Sequence, residues 1–67
     1  MAKVIVAVYD TSDQVTNVVD DLVSTGIPRE RIRVDEHKPR VEVVVADAAQ
    51  PEIAEILERH QPAELIR

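Results

Sequence analysis

The chain predicts an α+β sandwich of order β-α-β-β-α-β: a four-stranded antiparallel sheet with two helices on one face. Apolar residues alternate with period two over Lys3–Tyr9, Arg31–Glu36 and Val41–Ala46. They recur at helical spacing over Ser12–Thr25 and Pro51–His60, and a short apolar run, Leu65-Ile66, follows. In a chain of 67 residues this order of periods reads as a ferredoxin-like split β-α-β sandwich, one domain spanning residues 1–67.

The first strand packs β-branched residues into Val4-Ile5-Val6-Ala7-Val8, which suits a central strand apolar on both sides. Val4, Val6 and Val8 share one face; Lys3, Ile5, Ala7 and Tyr9 share the other. Thr11 and Gln14 have the spacing of a capping box, and Asp13 places negative charge where the helix dipole favours it. Val15, Val18, Val19, Leu22 and Val23 then form an apolar stripe. Valines lower helix propensity, so tertiary packing has to hold this helix. Gly26 suits the left-handed residue beyond its end, with Ile27 folding back on Leu22 and Pro28 preventing continuation.

In the second strand Ile32 and Val34 point inward, and Arg31, Arg33 and Asp35 outward, as on a charged edge. His37-Lys38-Pro39 turns the chain into the third strand, where Val41, Val43 and Val45 share one face and Glu42, Val44 and Ala46 the other. Gln50 is the expected cap of the second helix, with Asp47 competing, and Pro51 sits where a missing amide costs nothing. Ile53, Ile56 and Leu57 supply its core stripe, and Pro62 stops it. The expected core is Val4, Val6, Val8, Ile32, Val34, Val41, Val43, Val45 and Leu65 against the two helical stripes.

That choice leaves Ile5, Ala7, Tyr9, Val44 and Ala46, with Ile66, on the open sheet face. A face turned to water normally carries polar residues, so an apolar strip rimmed by charge has the composition of a contact surface. Ile5, Ala7, Tyr9, Val44 and Ala46 are therefore the candidate interface. A domain this small buries only about 60% of its unfolded surface. With no cysteine, disulfides and thiolate metal sites are excluded as staples, so association with a second copy or another protein gains weight.

Composition narrows the remaining choices. The formal net charge is -5, which repels nucleic acid and anionic membranes. The cations Arg29, Arg31, Arg33, Lys38 and Arg40 alternate with acids instead of forming a track, and Tyr9 is the only aromatic residue apart from two histidines. Neither nucleic acid nor membrane is an expected partner. The opening MAKVIVAVYD has no long apolar region or cleavage site, which gives the expectation of a soluble cytoplasmic protein.

No catalytic or cofactor motif is present, and the expectation is a non-enzymatic protein without cofactor or metal. Asp35, Glu36 and His37 carry ligand atoms, but neighbours on a strand point to opposite faces, and charged turns of this kind are ordinarily just solvated. Glu55 and Arg59 are spaced as a pair along one helix, and His60 suits that helix's free carbonyls. Asp10, Thr11, Ser12 and Asp13 cluster where a helix start can hold an anion, although two aspartates repel one and capping accounts for the cluster. Together with Arg31 and Arg33 they form the alternative, a small-ligand site.

Val6-Ala7-Val8-Tyr9-Asp10 running into a helix, and the later Leu22-Val23-Ser24-Thr25-Gly26-Ile27-Pro28-Arg29-Glu30-Arg31-Ile32, carry a family resemblance. So does Val43-Val44-Val45 followed by Ile56-Leu57-Glu58-Arg59-His60 and a short terminal strand. Over nearly its whole length the chain resembles the bacterial heat-induced general stress protein domain family. The resemblance implies a small bacterial module of undefined activity, with no catalytic residues to carry over. Heavy-metal-associated domains of similar topology need a Cys-x-x-Cys pair that is missing here. The expected role is a stress-associated protein–protein interaction module, probed first as a homodimer; the alternative is a small-ligand-sensing regulatory domain.

Overall fold

Strands β1 (Ala2–Val8) and β3 (Arg40–Ala46) form the centre of the sheet, and the three-residue strands β2 (Ile32–Val34) and β4 (Glu64–Ile66) form its edges. The computed structural model describes residues 2–35 and 37–66. The strand order is β2-β3-β1-β4 with every neighbouring pair antiparallel. Helices α1 (Ser12–Thr25) and α2 (Gln50–Arg59) pack on one face, giving the expected ferredoxin-like α+β arrangement.

Helix α1 begins and ends where its sequence says. Thr11 Oγ1 accepts from the Gln14 amide at 3.3 Å, and Gln14 Oε1 accepts from the Thr11 amide at 3.0 Å, closing the capping box. Gly26 has φ 113°; its N–H donates to the Val23 carbonyl at 3.1 Å and that of Ile27 to Leu22 at 3.0 Å. These two bonds make a complete Schellman turn, and Ile27 folds onto the core.

Other boundaries shift. Arg31 lies not in a strand but in a 3₁₀ turn over Arg29–Arg31, started by Pro28 at φ -61°. The extended segment is therefore shorter than the alternation suggests, and Glu36, its expected end, lies outside the described residues. A second 3₁₀ turn, Asp47–Ala49, feeds directly into α2, so Gln50 is the first helical residue and the cap position falls to Ala49, which makes no side-chain capping bond. Pro51 still falls in the first turn, where its missing N–H breaks no helical bond. After α2, Gln61 adopts φ 57°, and Ala63 donates to the Val8 carbonyl at 2.7 Å, which lays β4 beside β1.

The larger correction concerns the two sides of β1. Ile5, Ala7 and Tyr9 face the helices, exposed by 0%, 0% and 2%, and Val4, Val6 and Val8 lie on the open side. Register is the reason. Ile5 pairs with Val43 and Ala7 with Val41, and directly opposed residues of antiparallel strands share a face. Val41, Val43 and Val45 are buried as expected, so the odd-numbered residues of β1 go with them. Lys3 does not oppose this choice: it pairs with Val45 near the strand end, where it stays exposed. Burying Ile5 and Tyr9 instead of two valines also removes more apolar surface from water.

Leu65 packs against the core as expected, as does Ile32. Val34 shares their side, being paired with Val41, yet is 49% exposed because it sits at the sheet's edge.

Candidate contact face

The open side of the sheet is built in rows set by strand pairing. One row runs across all four strands as Arg33, Glu42, Val6 and Ile66. A second holds Arg40, Val8 and Glu64, and a third Val4 and Val44. Valine dominates the middle strand because β1 is flanked on both sides, and β-branched side chains fit the pleat there. No helix covers these rows. Val4 is 49% exposed, Ile66 48% and Val44 36%, while Val6 and Val8 are half-buried among their neighbours.

Of the charged groups on this face, Arg40 and Glu42 lie on the central strand β3, and Arg33 and Glu64 on the edges. Arg40 Nη2 donates to Glu42 Oε1 at 3.2 Å, neutralising both beside the valines. Arg33 lies on β2 and Glu64 on β4, at opposite edges. Between Val4, Val44, Arg33 and Glu42 the surface dips into a hollow of about 210 Å³. The surface is shallow and largely apolar, with cations and anions in balance among its described strand residues.

The candidate interface of the sequence is thus divided between two sides. Val44 and Ala46 lie on the open face and are exposed, whereas Ile5, Ala7 and Tyr9 belong to the core and cannot contact a partner. Val4, Val6 and Val8 take their place. No local signal marks them: the contact that decides is long-range, the buried hydrogen bond from the Tyr9 hydroxyl to the Leu57 carbonyl of α2 at 2.8 Å. Placing Tyr9 under the helices sets the phase of the whole strand.

The small-ligand candidates are not brought together either. A groove of about 310 Å³ separates the start of α1 from the β2–β3 turn, and Asp10 and Ser12 line it. Asp35, His37 and Lys38 stand on its other side. Thr11 is engaged in the capping box, Asp13 sits in the first turn of α1 and Arg31 closes a 3₁₀ turn. Arg33 points to the opposite face of the sheet, since its partner is Glu42 and it lines the hollow beside Val44. The backbone N–H of His37 donates to Asp35 Oδ1 at 2.8 Å and holds that carboxyl below its usual range. Among the described residues no group of three or more His, Cys, Asp or Glu is placed to hold a metal ion, and Glu36 lies outside them.

The two helices are joined by polar contacts that local spacing did not suggest. His60 Nε2 lies 2.9 Å from Asp21 Oδ2, and Arg59 reaches the same oxygen at 3.6 Å. His60 therefore serves α1 with its ring, and Arg59, spaced to pair with Glu55, extends across to the other helix. No described helix is long and apolar enough to cross a membrane. In comparisons with known proteins, the chain matches no family model, no curated protein and no solved structure.

Proposed function

We propose that the protein is a non-enzymatic protein–protein contact module whose working surface is the open face of its sheet. The observation that carries this reading is the run of Val4, Val6, Val44 and Ile66, adjacent across three strands and left in water. Fully burying a valine or isoleucine side chain contributes about 1.5–3 kcal/mol. Several half-exposed ones offset the lower end of the ~4–15 kcal/mol cost of association, which favours a weak, exchanging contact over a permanent one. A stress-associated bacterial setting follows from the family resemblance alone.

Photo-cross-linking tests the surface assignment. A benzophenone amino acid placed at Val44, in protein produced in its own cells, is expected to give protein adducts. The same group at Asn17, exposed on α1, is expected to give none. Absence of adducts from Val44, or equal adducts from both positions, overturns the reading.

A further inference from the structure

We infer that the surface covering the open sheet face is that of a second copy of this chain, related to the first by a two-fold axis running along the strands between β1 and β3. This rests on the contact-face reading and adds the identity and orientation of the partner.

Charge on the face points to this partner. The chain carries a formal net charge of -5, but the open face does not share it. Among the described strand residues its charged side chains are Arg33, Arg40, Glu42 and Glu64, two of each sign. Arg40 and Glu42 pair within the chain at 3.2 Å. That leaves a cation on the β2 edge and an anion on the β4 edge, with valines and the internally paired Arg40 and Glu42 between them. A surface with opposite charges at its two edges complements itself when it is turned about an axis parallel to its strands. The turn places β2 over β4 of the partner and β4 over the partner's β2. Arg33 shares a row with Ile66 through Glu42 and Val6, and Glu64 lies two residues farther along β4, a distance of about 7 Å. An arginine side chain spans that gap.

A two-fold axis across the strands gives the opposite result. It sets β2 over β2 and β4 over β4, so each edge charge faces the strand that carries its like. Like charges facing each other disfavour that arrangement. The favoured axis also leaves the strands of the two sheets roughly aligned, the common geometry of face-to-face sheet packing. By the strand register it lays Val4 on the partner's Val44, and Val6 and Val8 on the partner's Glu42 and Arg40, whose charges are already paired within the chain.

The face is small. Strands about 4.8 Å apart and a rise of about 3.4 Å per residue give a flat projection of roughly 400 Å² per copy. That lies below the ~800 Å² per partner of a standard interface, so the dimer is expected to dissociate in the micromolar range or weaker. Rim ion pairs of this kind fix orientation more than they add affinity.

Sedimentation equilibrium on Arg33→Glu, Glu64→Arg and their mixture tests the arrangement. The parent is expected to move from 7.5 kDa towards twice that mass as its concentration rises to about 1 mM. Each single variant sets like charges against each other at both ends of the dimer and is expected to associate about tenfold more weakly. An equimolar mixture of the two faces glutamate with arginine at one end and arginine with glutamate at the other, and is expected to recover the parent's affinity. A variant that merely misfolds cannot be rescued by the other, so recovery is specific to this geometry. A parent that stays monomeric throughout, single variants with the parent's affinity, or a mixture without recovery each overturn the inference. The two readings separate in the cross-linking: a Val44 adduct only of some other mass keeps the contact face and removes the second copy, whereas no adduct removes both.

Discussion

Tyr9 shows how one side chain ties strand to helix. Its ring is buried beneath α2 and its hydroxyl donates to the Leu57 carbonyl at 2.8 Å, so burial does not leave the donor unmet. Alternation alone could not place it, because on the open face water would have satisfied the same hydroxyl. Burial pushes its pKa up to about 12, against about 10 in an unfolded chain. The folded state thus holds the neutral phenol in preference to the ionised one. Its contribution is present in full below about pH 10 and is lost as pH rises through about 12. Tyr9→Phe keeps the ring and removes both the hydrogen bond and the titration. Urea unfolding is expected to show the variant less stable by about 1 kcal/mol at neutral pH, with the gap closing above about pH 10 and reversing before about pH 12. A gap that widens with alkalinity would show that the hydroxyl is not held neutral.

At the scale of elements, the ends of the two helices are joined through Gln14. Its Oε1 accepts from the amides of Asp10 and Thr11 at 3.1 and 3.0 Å, while its Nε2 donates to the His60 and Gln61 carbonyls at 3.3 and 3.5 Å. One amide group therefore caps the start of α1 and satisfies the end of α2, where Gln61 turns the chain at φ 57°. The first half was legible, since Thr11-x-x-Gln14 is a local spacing signal. The second half joins residues far apart in the chain and depends on how α1 and α2 pack. The same holds for Asp21 with His60 and Arg59: each residue is ordinary in its own helix, and the contact exists only in the fold. Gln14→Glu separates the two roles, since glutamate keeps the capping acceptor but aims a carboxylate at two carbonyls. Its urea midpoint is expected to correspond to a loss of about 1–2 kcal/mol, and a variant as stable as the parent would show that the link to α2 contributes nothing.

Over the whole molecule, element order and the boundaries of α1 were legible because they rest on local chemistry: periods, a capping box, one glycine and one proline. β3 could also be phased, since Glu42 marks one of its faces. β1 could not, because it is apolar on both faces and its alternation carries no information; shifting the choice by one residue exchanges every side chain. Pairing with β3 decides the matter, and that pairing is long-range. The contact face and its proposed two-fold stand on this phase, so Val4→Ser and Ile5→Ser, compared by thermal unfolding in dilute solution, address it most directly. Ser at position 4 removes a half-exposed methyl pair and is expected to lower Tm by only a few degrees. Ser at position 5 puts a hydroxyl and a void into the core at about 3 kcal/mol or more, a large share of the stability of so small a domain, and is expected to lower Tm by more than about 12 °C or prevent folding. The reverse order, Val4→Ser unfolding and Ile5→Ser intact, would put the even-numbered valines in the core and remove the contact face with them.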